Sequence, residues 1–465
     1  MKKLLIYLLC ITALFTGCDK KSDLNIDGKT TDQRLAEALA TYQQKLLDAP
    51  YGWILTEYTN GTAVNGGVTQ NGPKAIFSYY MKFDKDDRVS MISDFNQLTA
   101  ATFNSSSFFI KATQRPTLIF DTYSYIHRPC DPDPAVSNSP FGSGFGWGTD
   151  FEFSFADNVD AADLGDTIHL RGNLNQCSAT LIKATQEEQT TFTTTGFGAY
   201  STFNKILTYF KQVTGGTETV ELTPGIGGRT INIKSPSHPD LINVAYQSTA
   251  HNIVLETPIT LGGQTVTSFN DLVWNAGTGT ISTKINGTTA GTISPAIAPL
   301  VPEAGIAAAF YNEGFTNPWL GTAGFHVNGV DDAYNILGLT YPGGNYYRFV
   351  FYPGLVDGGG GDFYDVLSPF FLGLDNGYPY LFSGGVAYTY GDSKGRLVFQ
   401  MLDGGGGVTN PFSLRATNTI FNRGKVAPPY VAPSPGFYIV RKEDGTSYDM
   451  VTGGDALGWM TWSHQ

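Results

Sequence analysis

Charge is scarce in this chain. Only 15% of its 465 residues are Asp, Glu, Lys or Arg. The balance is acidic, with 29 Lys+Arg against 41 Asp+Glu and a formal net charge of -12. Without a basic block there is no electrostatic footprint for nucleic acid, so no nucleic-acid partner is expected. Cysteine is scarce too, with four residues, too few for a disulfide-built scaffold. Beyond the N-terminus no stretch approaches ~18 consecutive apolar residues, so no later spanning helix is expected. Catalytic signatures are missing as well. There is no HExxH, no Gly-x-Ser-x-Gly elbow, no P-loop and no dinucleotide fingerprint. The six His are scattered. His127 and Cys130 have ligand-like spacing, but no second pair accompanies them, so neither metal nor cofactor is expected.

Glycine and aromatics are abundant: 55 Gly, 25 Tyr and 31 Phe, with aromatics at 13%. That composition excludes a disordered chain, a coiled coil and a helical bundle. It points to a mainly β fold with many tight turns. The length calls for two domains or more.

The first residues form an address. Lys2 and Lys3 precede an apolar run from Leu4 to Phe15, interrupted only by Thr12 and too short to span a bilayer. Thr16 and Gly17 then stand before Cys18, as in a bacterial lipobox, although Phe15 replaces the usual aliphatic residue. Residues 1–17 are therefore expected to be a lipoprotein signal peptide and Cys18 the acylated residue, with 18–30 a polar tether. Lipid on one Cys anchors a protein to a membrane surface without spanning it. Cys130 and Cys177 are then left as an even pair, a candidate disulfide, with two buried thiols as the other reading.

A capping-box pair, Thr30 and Gln33, opens a helix whose stripe Leu35, Leu39, Tyr42 and Leu46 calls for burial. After Ala49-Pro50 the period changes to strands. Eight are expected: 53–58, 75–83, 88–95, 108–112, 117–122, 150–155, 166–172 and 178–183. Consecutive antiparallel strands with turns between them close into an up-and-down barrel, so residues 31–190 are predicted to be a helix on a barrel-like sheet. Residues 191–216 read as a partly helical bridge, with Phe203, Ile206, Leu207 and Phe210 at helical spacing, ending at Thr214-Gly215-Gly216-Thr217. Residues 217–465 read as a second, β-rich, sandwich-like domain, with Asn286-Gly287 as its clearest hairpin turn.

Several segments together resemble a surface lipoprotein family. They are the lipobox, the capped helix, Ala49-Pro50-Tyr51-Gly52-Trp53, Pro116 to Tyr123 followed by His127, Asp150 to Phe153, Asp166 to Gly172 and Leu181 to Thr185. The family is catalogued as domain of unknown function 4302, and the resemblance is best over residues 30–190. Its members are typically encoded beside SusC/SusD-type outer-membrane nutrient import systems. The resemblance implies an outer-membrane, lipid-anchored accessory facing the cell exterior, partnered with such a complex. It implies no catalytic residues. Cys130-Asp131-Pro132-Asp133-Pro134 matches no function of the family.

The expected activity is non-catalytic binding of a nutrient, glycan or peptide. A surface hydrolase and a structural or adhesive lipoprotein are the alternatives. The densest aromatic stretch supplies the candidate ligand-binding residues Tyr346, Tyr347, Tyr352 and Tyr364, with core packing as the competing explanation. Asp357, Asp362 and Asp365 around a Gly-rich loop suit Ca²⁺ in type but lack the spacing of a known loop.

Overall fold

The Thr31–Leu47 helix begins on the expected capping box: Thr30 accepts from the Gln33 N–H and the Gln33 side chain accepts from the Thr30 N–H. The computed structural model describes residues 28–156, 163–321, 324–333, 340–341, 344–357, 363–373, 379–381, 386–391, 394–401 and 436–464, with side chains described only in part between 340 and 401. Only the C-terminal half of the helix lies against the protein. Tyr42 and Leu46 are buried, Leu39 is half-buried and Leu35 is 45% exposed. The four-residue stripe is thus half used. Tyr42 packs on Phe155 with ring centroids 4.5 Å apart, and Trp53 Nε1 donates to Leu46 O at 2.9 Å. These contacts pin the last turns across one end of a barrel.

That barrel consists of Trp53–Tyr58, Ile76–Phe83, Arg88–Ser93, Asn104–Ala112, Pro116–Phe120, Glu152–Phe155, Thr167–Gly172 and Ser178–Lys183. Each strand pairs antiparallel with the next, and the last pairs back on the first, Trp53 opposite Lys183. All eight expected strands are present. Alternation along each strand puts one set of side chains inside: Trp53 and Leu55, Phe77, Tyr79 and Met81, Ile168 and Leu170. The helix seals one end. The 121–151 connection folds over the other and buries Tyr125, Ile126, Phe141 and Trp147 in the same core.

The bridge is two short helices. Gln186–Thr195 packs on the outside of the first barrel, Phe192 stacking on Tyr80 at 5.1 Å. Gly198–Phe203 buries Ala199 and Phe203 in the next core. Phe210, expected to be helical, instead opens a strand, because its ring is buried edge-on against Tyr438.

The C-terminal half is not one sandwich. Phe210–Thr214, Val220–Pro224, Thr230–Ser235, His238–Ser248, Ile253–Leu261, Gln264–Asn275, Thr280–Ile285 and Thr289–Ala296 close into a second eight-stranded antiparallel barrel. Its short turns let each strand pair only with its chain neighbours, and the last strand returns to the first. The Gly215-Gly216 turn, expected as a boundary, joins the first two strands. Gly215 sits there at φ +101°, where a Cβ would lie 2.2 Å from Ala290 O, so only glycine fits. A third sheet follows, preceded by the helix Ile306–Thr316.

The units are locked together by buried charge. Arg229, 5% exposed, leaves the second barrel and enters the first. Its guanidinium donates to Asp94 O at 2.9 Å, to Asp94 Oδ1 at 3.1 Å and to Ile76 O, and lies 4.3 Å over the Phe77 ring. The third sheet is tied to the second barrel by Asp449, which accepts from Tyr209 OH at 2.8 Å and from Lys442 Nζ at 2.9 Å.

Candidate functional site

Two groupings outside the strand pattern carry chemistry, and both lie where the 121–151 connection covers the first barrel. The inner one surrounds Glu57. The strand Trp53–Tyr58 turns residues 53, 55 and 57 inward, so this acid shares a face with Trp53 and Leu55 and is fully buried. Glu57 Oε1 accepts from the Asp150 N–H at 2.7 Å and from the Cys177 thiol at 3.0 Å. Cys177 also reaches Asp150 Oδ2 at 3.1 Å. Asp150 in turn accepts the backbone N–H groups of Leu174 and Asn175. Glu57 Oε2, Tyr79 OH and Thr149 Oγ1 are buried without a hydrogen-bond partner.

Burial dominates the electrostatics of this cluster. It pushes Glu57 up to about 8, against the hydrogen bonds from Asp150 and Cys177, so the acid is protonated at neutral pH. Burial likewise raises Asp150, Cys177 and Cys130. A buried thiol held in its protonated form is a poor nucleophile. The cluster is therefore a stitch joining three chain segments. Glu57 had a readable signal, an acid at inward parity in an otherwise apolar strand face.

Of the two readings for Cys130 and Cys177, a disulfide or two thiols, the structure has the thiols. Each has its own acceptors: Cys130 donates to His127 O at 3.2 Å, and Cys177 to the two carboxyls.

The outer grouping is an aromatic stack. His127 is pinned through both ring nitrogens, Nδ1 accepting from the Ser124 N–H at 3.1 Å and Nε2 donating to Phe120 O at 3.1 Å. Burial holds it below the usual histidine range, and no ring nitrogen is left for a metal. Tyr123 stacks on it with centroids 5.4 Å apart, and Phe151 leans on it at 4.7 Å. Tyr123 is 54% and Phe151 37% exposed. Tyr123 OH donates to Asp131 Oδ2, which fixes the ring. The loop after His127 thereby acquires a purpose. Asp131 Oδ1 accepts from the Asp133 N–H, and Asp133 caps the one-turn helix Pro134–Ser137, whose proline stands at its first position. Asp121 and Thr122, exposed beside Tyr123, hydrogen-bond Ser107. A rigid exposed ring edged by carboxylates and hydroxyls can stack on the flat face of a ligand and bond its polar rim.

The candidate ligand-binding tyrosines lie on strands of the third sheet. Tyr346 and Tyr347 lie on the Gly344–Asp357 strand and Tyr364 on Phe363–Gly373, with their side chains outside the described residues. Tyr352 is half-buried against Leu320 and Val350. Asp365 is buried, and its Oδ1 accepts from Tyr311 OH and the Gly354 N–H, both at 2.8 Å. Cys18, Asp362 and the glycine runs 358–361 and 404–407 lie outside the described residues. Among the described residues no group of three or more His, Cys, Asp or Glu side chains is arranged to hold a metal. The cavity at the turn end of the second barrel, under Val213, Val220, Leu261 and Phe269, measures about 20 Å³, room for one water.

The family described as Domain of unknown function (DUF4302) matches residues 26–276. The chain belongs to this family. No curated protein matches it. The DUF4302 match takes in the capped helix, the first barrel with its Tyr123 stack and Glu57 cluster, and six strands of the second barrel. It stops before Thr280–Ile285 and Thr289–Ala296, the two strands that close that barrel.

Proposed function

We propose that this protein is a lipid-anchored cell-envelope component that binds a nutrient without turning it over, as an accessory of a SusC/SusD-type outer-membrane import system. The observation that carries the binding role is the Tyr123–His127–Phe151 stack, an ordered aromatic surface beside Asp121 and Asp131. The anchor rests on Cys18 after the short apolar run, and the import association on the family resemblance. The ligand is a glycan or a peptide presented at the outer surface. Attachment at Cys18 keeps the site near a transporter and raises the local concentration of a weakly bound ligand.

Glycan and peptide arrays probed with the mature chain, with hydrolysis scored in the same wells, test this reading. A bound ligand should be released unchanged. Tyr123→Ala should weaken its binding by about tenfold, the scale of one lost aromatic contact. Undiminished binding by the variant removes the stack from the proposal, and turnover in the wells replaces it with the hydrolase.

A further inference from the structure

We infer that the described residues between 306 and 464 belong to a third module of the same plan, a helix plugging an eight-stranded barrel, so that the chain is a tandem of three such modules. In the third sheet, eight strands pair antiparallel in succession: Trp319–Gly321, Gly344–Asp357, Phe363–Gly373, Val386–Gly391, Arg396–Met401, Phe437–Arg441, Tyr448–Thr452 and Gly458–Trp462. The row does not end there. Leu320 N–H donates to Ser463 O at 2.9 Å and Ser463 N–H to Leu320 O at 3.0 Å, an antiparallel pair of bonds joining the end of the last strand to the first. The short strand His326–Val327 pairs farther along the same side of Gly458–Trp462. Closure removes the free edges that an open sheet would leave.

The interior and the helix repeat the first module. Trp319, Phe349, Phe351, Leu397, Met450 and Trp462 form one core, and Ile306, Ala307 and Phe310 of the helix are buried in it, as Tyr42 and Leu46 are in the first barrel. The joint between helix and first strand also recurs. Trp53 follows Pro50 and donates its indole N–H to Leu46 O at 2.9 Å; Trp319 follows Pro318 and donates to Phe310 O at 2.7 Å. In the second module Ala199 and Phe203 occupy the same place beneath the barrel. A helix and eight strands paired in chain order, with a proline-tryptophan joint shared by the first and third modules and three short strands, His326–Val327, Thr340–Tyr341 and Pro379–Leu381, added to the third, amount to more than a shared strand count. The plan also makes the barrel ends equivalent. The Tyr123 stack lies at the end of the first barrel opposite its helix, and the matching end of the third is where Gly344–Asp357 begins, two residues before Tyr346.

Hydrogen–deuterium exchange on the full mature chain tests the closure. The Leu320 and Ser463 amides should exchange at least ~100-fold more slowly than the exposed turn at Gly66-Gly67, as paired strands do. Exchange at the turn's rate means an open sheet and overturns the inference. Ser463→Pro removes one of the two donors. By breaking that pair of bonds it should speed exchange at the Leu320 amide while leaving 53–58 and 178–183 unchanged. Unaltered protection of the Leu320 amide also overturns it, and if the variant fails to fold, the wild-type rates decide.

Discussion

Glu57→Gln should change how the first barrel responds to pH. Burial raises Glu57 from 4.5 to about 8 in the folded protein. Its contribution is therefore fully present below pH 4.5, is lost progressively as the unfolded chain ionises, and levels off above about 8. Each unit corresponds to about 1.4 kcal/mol. Between pH 5 and 7.5 the folded wild type should lose about 3 kcal/mol through this one residue. Glutamine cannot ionise, yet its carbonyl can still accept from the Asp150 N–H and the Cys177 thiol. The difference in stability between variant and wild type should therefore grow by about 3 kcal/mol in the variant's favour across that interval. Glu221 in the second barrel, pushed by burial to about 7, titrates in both proteins and cancels in the difference. Urea titrations at several pH values, read by exchange of the strands at 53–58 and 178–183, isolate the first barrel. Parallel profiles for the two proteins, within about 0.5 kcal/mol, would refute the burial argument.

Arg229→Met should cost about 3–5 kcal/mol, because it strands Asp94 as a buried, unpaired charge, and restoring neutrality with Asp94→Asn should recover part of it in a double-mutant cycle. Leu46→Ala should cost ~2–5 kcal/mol in urea denaturation, whereas Leu35→Ala should fall within about 0.5 kcal/mol of wild type, since only the first is buried. Cys130 and Cys177 should resist alkylation in the native protein and react once it is unfolded, as mass spectrometry of their peptides can score. The wild-type N-terminal peptide should carry acyl chains on Cys18, and Cys18→Ala should abolish them.

Local order was legible because local chemistry dictates it. The Thr30–Gln33 box starts the helix, the polar/apolar alternation of segments such as Glu152 to Phe155 marks strands, and antiparallel pairing of each strand with its neighbours, closed by the last on the first, makes the barrel. The mainly β class and the first barrel follow from those features. Where a helix ends relative to what it covers is not local: Leu35 and Leu46 are alike in the sequence, and only the position of the barrel rim exposes one and buries the other. Phe210 has helical spacing, but a partner 228 positions away, Tyr438, makes it a strand residue. Cys130 and Cys177 look like a pair in composition, yet Glu57 on the first strand and Asp150 at the end of the 121–151 connection occupy the second thiol. The stack of Tyr123, His127 and Phe151 joins the two ends of one long connection, and the Arg229 clasp joins two barrels. Such groupings depend on where folded elements meet, which burial and long-range pairing decide after the local pattern has formed.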